Sequence, residues 1–172
     1  MTALIEEITR KQLRSLRLIF GVLVTLVLLL VASSWWLGSS TAAGTIWVEV
    51  ILGSLAAILI GVLLPWQRRR MMDIERVRHA DEDLLQRWGL PPDVDLHLGR
   101  PAVYLTRYTA GCVLSWGLSA AVALYGLVAR MLGAGALVSG LFFATATFSL
   151  LLLPPDGKKL RQRLTQLLGN NL

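Results

Sequence analysis

The sequence predicts an all-α membrane protein: four transmembrane helices forming two antiparallel hairpins, joined by amphipathic cytoplasmic helices. Three observations carry this. The chain is 55% hydrophobic and 16% charged, where a soluble domain carries about a quarter charged residues. Its apolar residues gather in four long blocks, not at the period of an amphipathic helix or strand. Its basic residues flank those blocks.

The spans are predicted at residues 16–37, 45–66, 108–129 and 133–153, within a single membrane domain covering 1–172. Each holds about 20 residues, enough at about 1.5 Å per residue to cross about 30 Å of hydrocarbon. Backbone polar groups facing lipid must be paired, and the alternation of a barrel strand is missing, so the spans are expected to be helices. The first block follows Arg10, Lys11, Arg14 and Arg17. Its apolar run, 18–37, exceeds the roughly 7 to 15 residues of a signal peptide, so it reads as a retained signal anchor.

The connection at 38–44 is short and rich in Gly, Ser, Thr and Ala, and only a few residues around 130–135 separate the last two spans. Both connections demand hairpins. The segment 67–107 and the termini hold sixteen of the seventeen Lys and Arg residues, with Arg130 alone on the other side. The positive-inside rule places these regions, and both termini, in the cytoplasm. Trp35, Trp36 and Trp47 fall at the outer interface and Trp66, Tyr104 and Tyr108 at the inner one, with Trp116 between helices. Small size and style of sequence point to a bacterial inner membrane.

The net charge of +6 suits anionic lipid headgroups, not nucleic acid, because the basic residues border apolar blocks and do not line an aromatic-studded soluble face. Arg68, Arg69 and Arg70 after the second span, and Lys158, Lys159, Arg161 and Arg163 near the C-terminus, are the expected headgroup contacts. From Arg68 to Trp88 the charge density and the pairs Glu75/His79 and Asp83/Arg87 predict a solvated helix, stopped by Gly89, Pro91 and Pro92. Its stripe of Ile74, Val77, Leu84 and Trp88 could dock on the membrane, on the other cytoplasmic segments or on a partner.

After Pro154 and Pro155, Asp156 is a candidate cap for a helix over 156–169. Leu160, Leu164, Leu167 and Leu168 share one face, the pattern of a basic amphipathic helix lying on the inner leaflet. The N-terminal segment is similar, with Ile5 and Ile8 on one side and Glu6 and Glu7 in its first turn.

Past the basic start of the first span, Glu49, within the second span, and Arg130, just past the third, are the two charged residues near outer span ends. They could form an ion pair between the hairpins, or each could reach water. Three ridges of small residues predict close helix packing: Gly53, Ala57 and Gly61; Gly111, Ser115, Ser119 and Ala123; and Ala136, Gly140 and Ala144. The second could face the fourth span or another subunit.

Catalytic signals are sparse. The one cysteine, Cys112, excludes an internal disulfide, and His79 and His97 lack ligand partners at metal-like spacing. No phosphate loop, serine elbow or zinc-protease motif occurs in the sequence. No catalytic residue, metal or cofactor is therefore expected.

Residues 116–128 (WGLSAAVALYGLV) and 142–153 resemble the hairpins of a group of uncharacterised small bacterial four-span membrane proteins. Those hairpins are in turn similar to the c subunit of ATP synthase. The resemblance covers about a third of the chain and implies two packed hairpins. It departs from the c-subunit pattern at Ala120, where a glutamate commonly stands, and the c-subunit glycine repeat is missing. The functional expectation is a non-enzymatic accessory, scaffold or assembly subunit of a larger inner-membrane complex, contacting lipid and other membrane subunits. The alternative is a small homo-oligomeric transporter or channel.

Overall fold

A computed structural model describes residues 2–36, 46–88 and 96–169, and every regular element among them is a helix. Helix α1 (Thr2–Trp36) is followed by α2 (Ile46–Ile58), a π-helical turn (Leu59–Leu63) and α3 (Leu64–Met71). Then come α4 (Ile74–Arg78), α5 (Glu82–Arg87), α6 (Leu96–Met131), α7 (Ala136–Leu151) and α8 (Gly157–Gly169). The expected connection at 38–44 and the stop at Gly89, Pro91 and Pro92 lie outside the described residues.

Three helical stretches are long and apolar enough to cross a membrane: Arg10–Trp36, Glu49–Arg78 and Gly99–Met131. The fourth apolar helix, α7, has 16 residues, about 24 Å at the α-helical rise. It is shorter than the expected 133–153 for local reasons. Gly133 adopts φ of 90°, Gly135 stands at the N-cap, and Pro154 follows the last turn; a proline disfavours the helical conformation of the residue before it.

The other helices run past their expected ends. The basic stretch before the first span belongs to the same helix as the span, since no Gly or Pro interrupts 2–20 and Arg, Lys, Gln and Glu are good helix formers. Likewise α6 begins at Leu96, so the expected cytoplasmic segment 67–107 already contains its first three turns. The π turn has a covalent cause in Pro65, which cannot donate to the carbonyl four residues back and whose ring presses on it. Just before it, the N–H of Leu64 reaches the carbonyl of Leu59, five residues away.

The single helix expected over 68–88 is three. Asp73 ends α3 and caps α4, its Oδ1 accepting from the N–H of Glu75 at 3.1 Å, and Asp81 is the N-cap of α5. The buried stripe shifts with the break. Val77 and Leu85 are fully enclosed, whereas Leu84 is exposed.

The chain divides into two compact units, each assembled from separate stretches. Unit 1 comprises Met1–Arg17, Arg68–Cys112 and Pro155–Leu172; unit 2 comprises Leu18–Gln67 and Val113–Pro154. Sixteen of the Lys and Arg residues and ten of the Asp and Glu residues fall in unit 1, leaving Glu49 and Arg130 in unit 2. Unit 1 therefore carries the whole excess of positive charge. Its core holds Leu13, Leu16, Val77, Leu85, Val103, Tyr104, Tyr108, Leu160 and Leu164. In unit 2, Trp116, Val122, Ala123, Phe142, Phe143, Ala146 and Leu150 are buried together. Burying each large apolar side chain contributes about 1.5–3 kcal/mol, an upper figure where the alternative surroundings are lipid.

Candidate functional site

In unit 2 the small-residue ridges separate into one that is filled and two that are open. Ser115, Ser119 and Ala123 of α6 are buried, and the Ser115 hydroxyl donates to the side-chain carbonyl of Gln67 at 3.3 Å. Gly111, the ridge's first member, belongs to unit 1, where a Cβ would stand 3.2 Å from that of Met71. This ridge is consumed by packing within the chain. Gly53 and Gly61 have nothing within 4 Å of where a side chain would begin, Ala57 is exposed, and the same openness holds for Gly140 between exposed Ala136 and Ala144.

Sequence spacing missed a tightly enclosed glycine. A Cβ at Gly126 would stand 2.9 Å from that of Phe142 and 3.2 Å from the Ser139 carbonyl, so α6 and α7 meet there at a distance only glycine permits. Gly126 lies outside the every-fourth-residue register of the ridge beginning at Gly111, and only the neighbouring Phe142 and Phe143 hint at the need for space.

Of the two alternatives for Glu49 and Arg130, an ion pair between them or separate access to water, the described residues do not show the ion pair. No ion pair within 4 Å involves either residue among the described residues, and Arg130 Nη1 donates instead to the carbonyl of Ala134 at 3.3 Å. A tight turn four residues on offers the guanidinium a carbonyl without loss of side-chain freedom over a longer reach.

In unit 1, α8 turns its apolar face into protein. Leu160, Leu164 and Leu167 are buried, and a Cβ at Gly157 would lie 2.9 Å from Leu13 Cδ1. Of the leucine face expected to lie on the inner leaflet, these three residues pack against the chain itself. Arg163 is drawn in with them, Nη1 donating to the Met72 carbonyl at 2.8 Å and to the Tyr104 hydroxyl at 3.0 Å. Lys158, Lys159 and Arg161 remain exposed, as do Arg68, Arg69 and Arg70. Asp156 caps α8 through the N–H groups of Lys158 (3.0 Å) and Lys159 (3.2 Å). The Lys159 amide, then the other α8 donors and the Lys159 ammonium 3.7 Å away, hold this carboxyl below the usual carboxylate range.

Comparison with protein-family models, curated proteins and solved structures returned no match. The chemistry of the side chains must speak for itself. Among the described residues no group of three or more His, Cys, Asp or Glu could hold a metal. His79 meets Glu75 at 3.3 Å on an exposed surface, and Cys112 is buried. The surfaces left available are the two open ridges of unit 2 and the basic face of unit 1.

Proposed function

We propose that the chain is a four-span bacterial inner-membrane protein, with both termini in the cytoplasm, acting as a non-catalytic accessory, scaffold or assembly subunit of a larger membrane complex. The reading counts α7 as the fourth span. The observation that carries it is the openness of Gly53, Ala57 and Gly61 on one helix and Ala136, Gly140 and Ala144 on another. Small residues matter in lipid because they let backbones approach, so a ridge the chain leaves empty is suited to a helix from another subunit. Burial supports this: 50% of the most apolar stretch of α6 is enclosed, against 11% for that of α1 and 6% for that of the second span. The charge excess of unit 1 suits the anionic cytoplasmic leaflet.

Mild-detergent affinity purification of the tagged chain from its native membrane tests the reading. Stoichiometric membrane partners are expected, and they are lost on Gly53→Leu or Gly140→Leu while the helical content of the chain is retained. A bare monomer counts against the proposal. A clean homo-oligomer alone favours the transporter, with liposome flux as the next measurement.

A further inference from the structure

Arg107 is held more firmly than a surface arginine and yet is incompletely paired. Its guanidinium carbon sits 3.9 Å from the centroid of the Trp88 ring, and Nη2 donates at 2.7 Å to the carbonyl of Arg70 in the last turn of α3. These contacts anchor one face and one edge. Its Nε is buried without a hydrogen-bond partner, and so is the Nε of Arg100. Arg100 and Arg107 are seven residues apart on α6, two turns along the same face and about 10 Å of helix rise. The charges of Arg70 and Arg76 act on Arg107, opposed there by Asp73, which already pairs with Arg76 at 3.6 Å.

A buried charged donor without an acceptor is costly, and like charges beside it add to the cost. An anion held beside the two arginines would supply the missing counter-charge and relieve the repulsion. We propose that Arg100 and Arg107, with Trp88 as the platform beneath the second guanidinium, form a binding site for the phosphodiester of an anionic phospholipid. The planar fork of arginine matches phosphate oxygens, and the Trp88 indole keeps one fork from rotating away. Lipid is the source because basic pockets beside transmembrane helices at the cytoplasmic side meet anionic headgroups at high local concentration. The site rests on the membrane insertion in the reading above, not on the partner complex.

Native mass spectrometry of the full chain in neutral detergent, titrated separately with phosphatidylglycerol, phosphatidylcholine and inorganic phosphate, tests it. Phosphatidylglycerol is expected to be retained selectively. Arg100→Gln and Arg107→Gln each weaken that retention by about tenfold, as loss of one charge-assisted hydrogen bond implies, while Arg14→Gln, removing the same charge from an exposed position of α1, does not. Should Arg107→Gln lose helical content, Arg100→Gln decides alone, since its side chain makes no described hydrogen bond. Equal retention of the two lipids, equal loss with Arg14→Gln, or displacement by equimolar inorganic phosphate overturns the site. Extraction of the chain from its membrane by alkaline carbonate would instead sink the membrane reading; a chain that stays in the membrane but shows no lipid selectivity sinks this inference alone.

Discussion

The indole Nε1 of Trp116 donates to the carbonyl of Leu153 at 2.8 Å, with Trp116 fully buried on α6 and Leu153 at the end of the last apolar segment. The same indole meets Phe20 of α1 at a centroid distance of 5.2 Å. One side chain thus joins three helices of unit 2 and satisfies a carbonyl that the end of α7 and Pro154 leave without a helical donor.

Trp116→Phe keeps much of the ring but strands the Leu153 carbonyl. The expected cost is about 1–3 kcal/mol, the penalty of an unsatisfied buried acceptor. It is measured as a lowered unfolding midpoint in detergent; an unchanged midpoint would show that the hydrogen bond contributes nothing.

Gly126→Ala and Gly140→Ala should act in opposite directions. The first drives a methyl group against Phe142 and the Ser139 carbonyl and is expected to cost about 1–3 kcal/mol through overpacking. The second enters open space and is expected to leave stability unchanged or raise it by up to about 1 kcal/mol through helix propensity. Unfolding of both variants in mixed micelles distinguishes them, and a loss at Gly140 would show that its face is already covered.

Arg163→Ala removes the Nη1 group that donates both hydrogen bonds holding α8 to Met72 and Tyr104. Faster amide exchange throughout α8 is expected, with a loss of about 1.5–3 kcal/mol for bonds to a charged donor. Arg161→Ala, at an exposed position, should stay within about 0.5 kcal/mol of the parent.

The cap of α8 should respond to acid. Because the Asp156 carboxyl titrates below its ordinary value of 3.8 in the folded chain, its contribution is fully present above that value and disappears as pH falls through the lower folded one. The Lys158 and Lys159 amides of the parent should therefore lose protection as pH falls below 3.8, relative to the intrinsic acid dependence, and Asp156→Asn should flatten the response. Parallel profiles for the two chains would remove the carboxylate from the account.

Much of the architecture was legible in the residues because lipid-facing helices are simple in composition. The blocks at 16–37, 45–66 and 108–129 overlap the three long apolar helices, since no alternative pairs their backbone away from water. Helix ends were less legible. Polar segments such as 2–17 and 96–107 continue the helices in the absence of a breaker, whereas 68–88 splits because Asp73 and Asp81 offer caps inside a charged run. The π turn before Pro65 was not anticipated within the block 45–66.

The sequence by itself determined that the chain is helical and apolar, and that its charge is segregated; these follow from local composition and from the cost of unpaired backbone in hydrocarbon. Tertiary structure alone decided which small-residue ridge is filled, that Arg130 turns to Ala134 and not to Glu49, and that Leu160, Leu164 and Leu167 of α8 are covered by protein. All three ridges look alike in sequence. Which one is occupied depends on what residues distant along the chain bring to within a few ångströms, and no spacing within one helix records that.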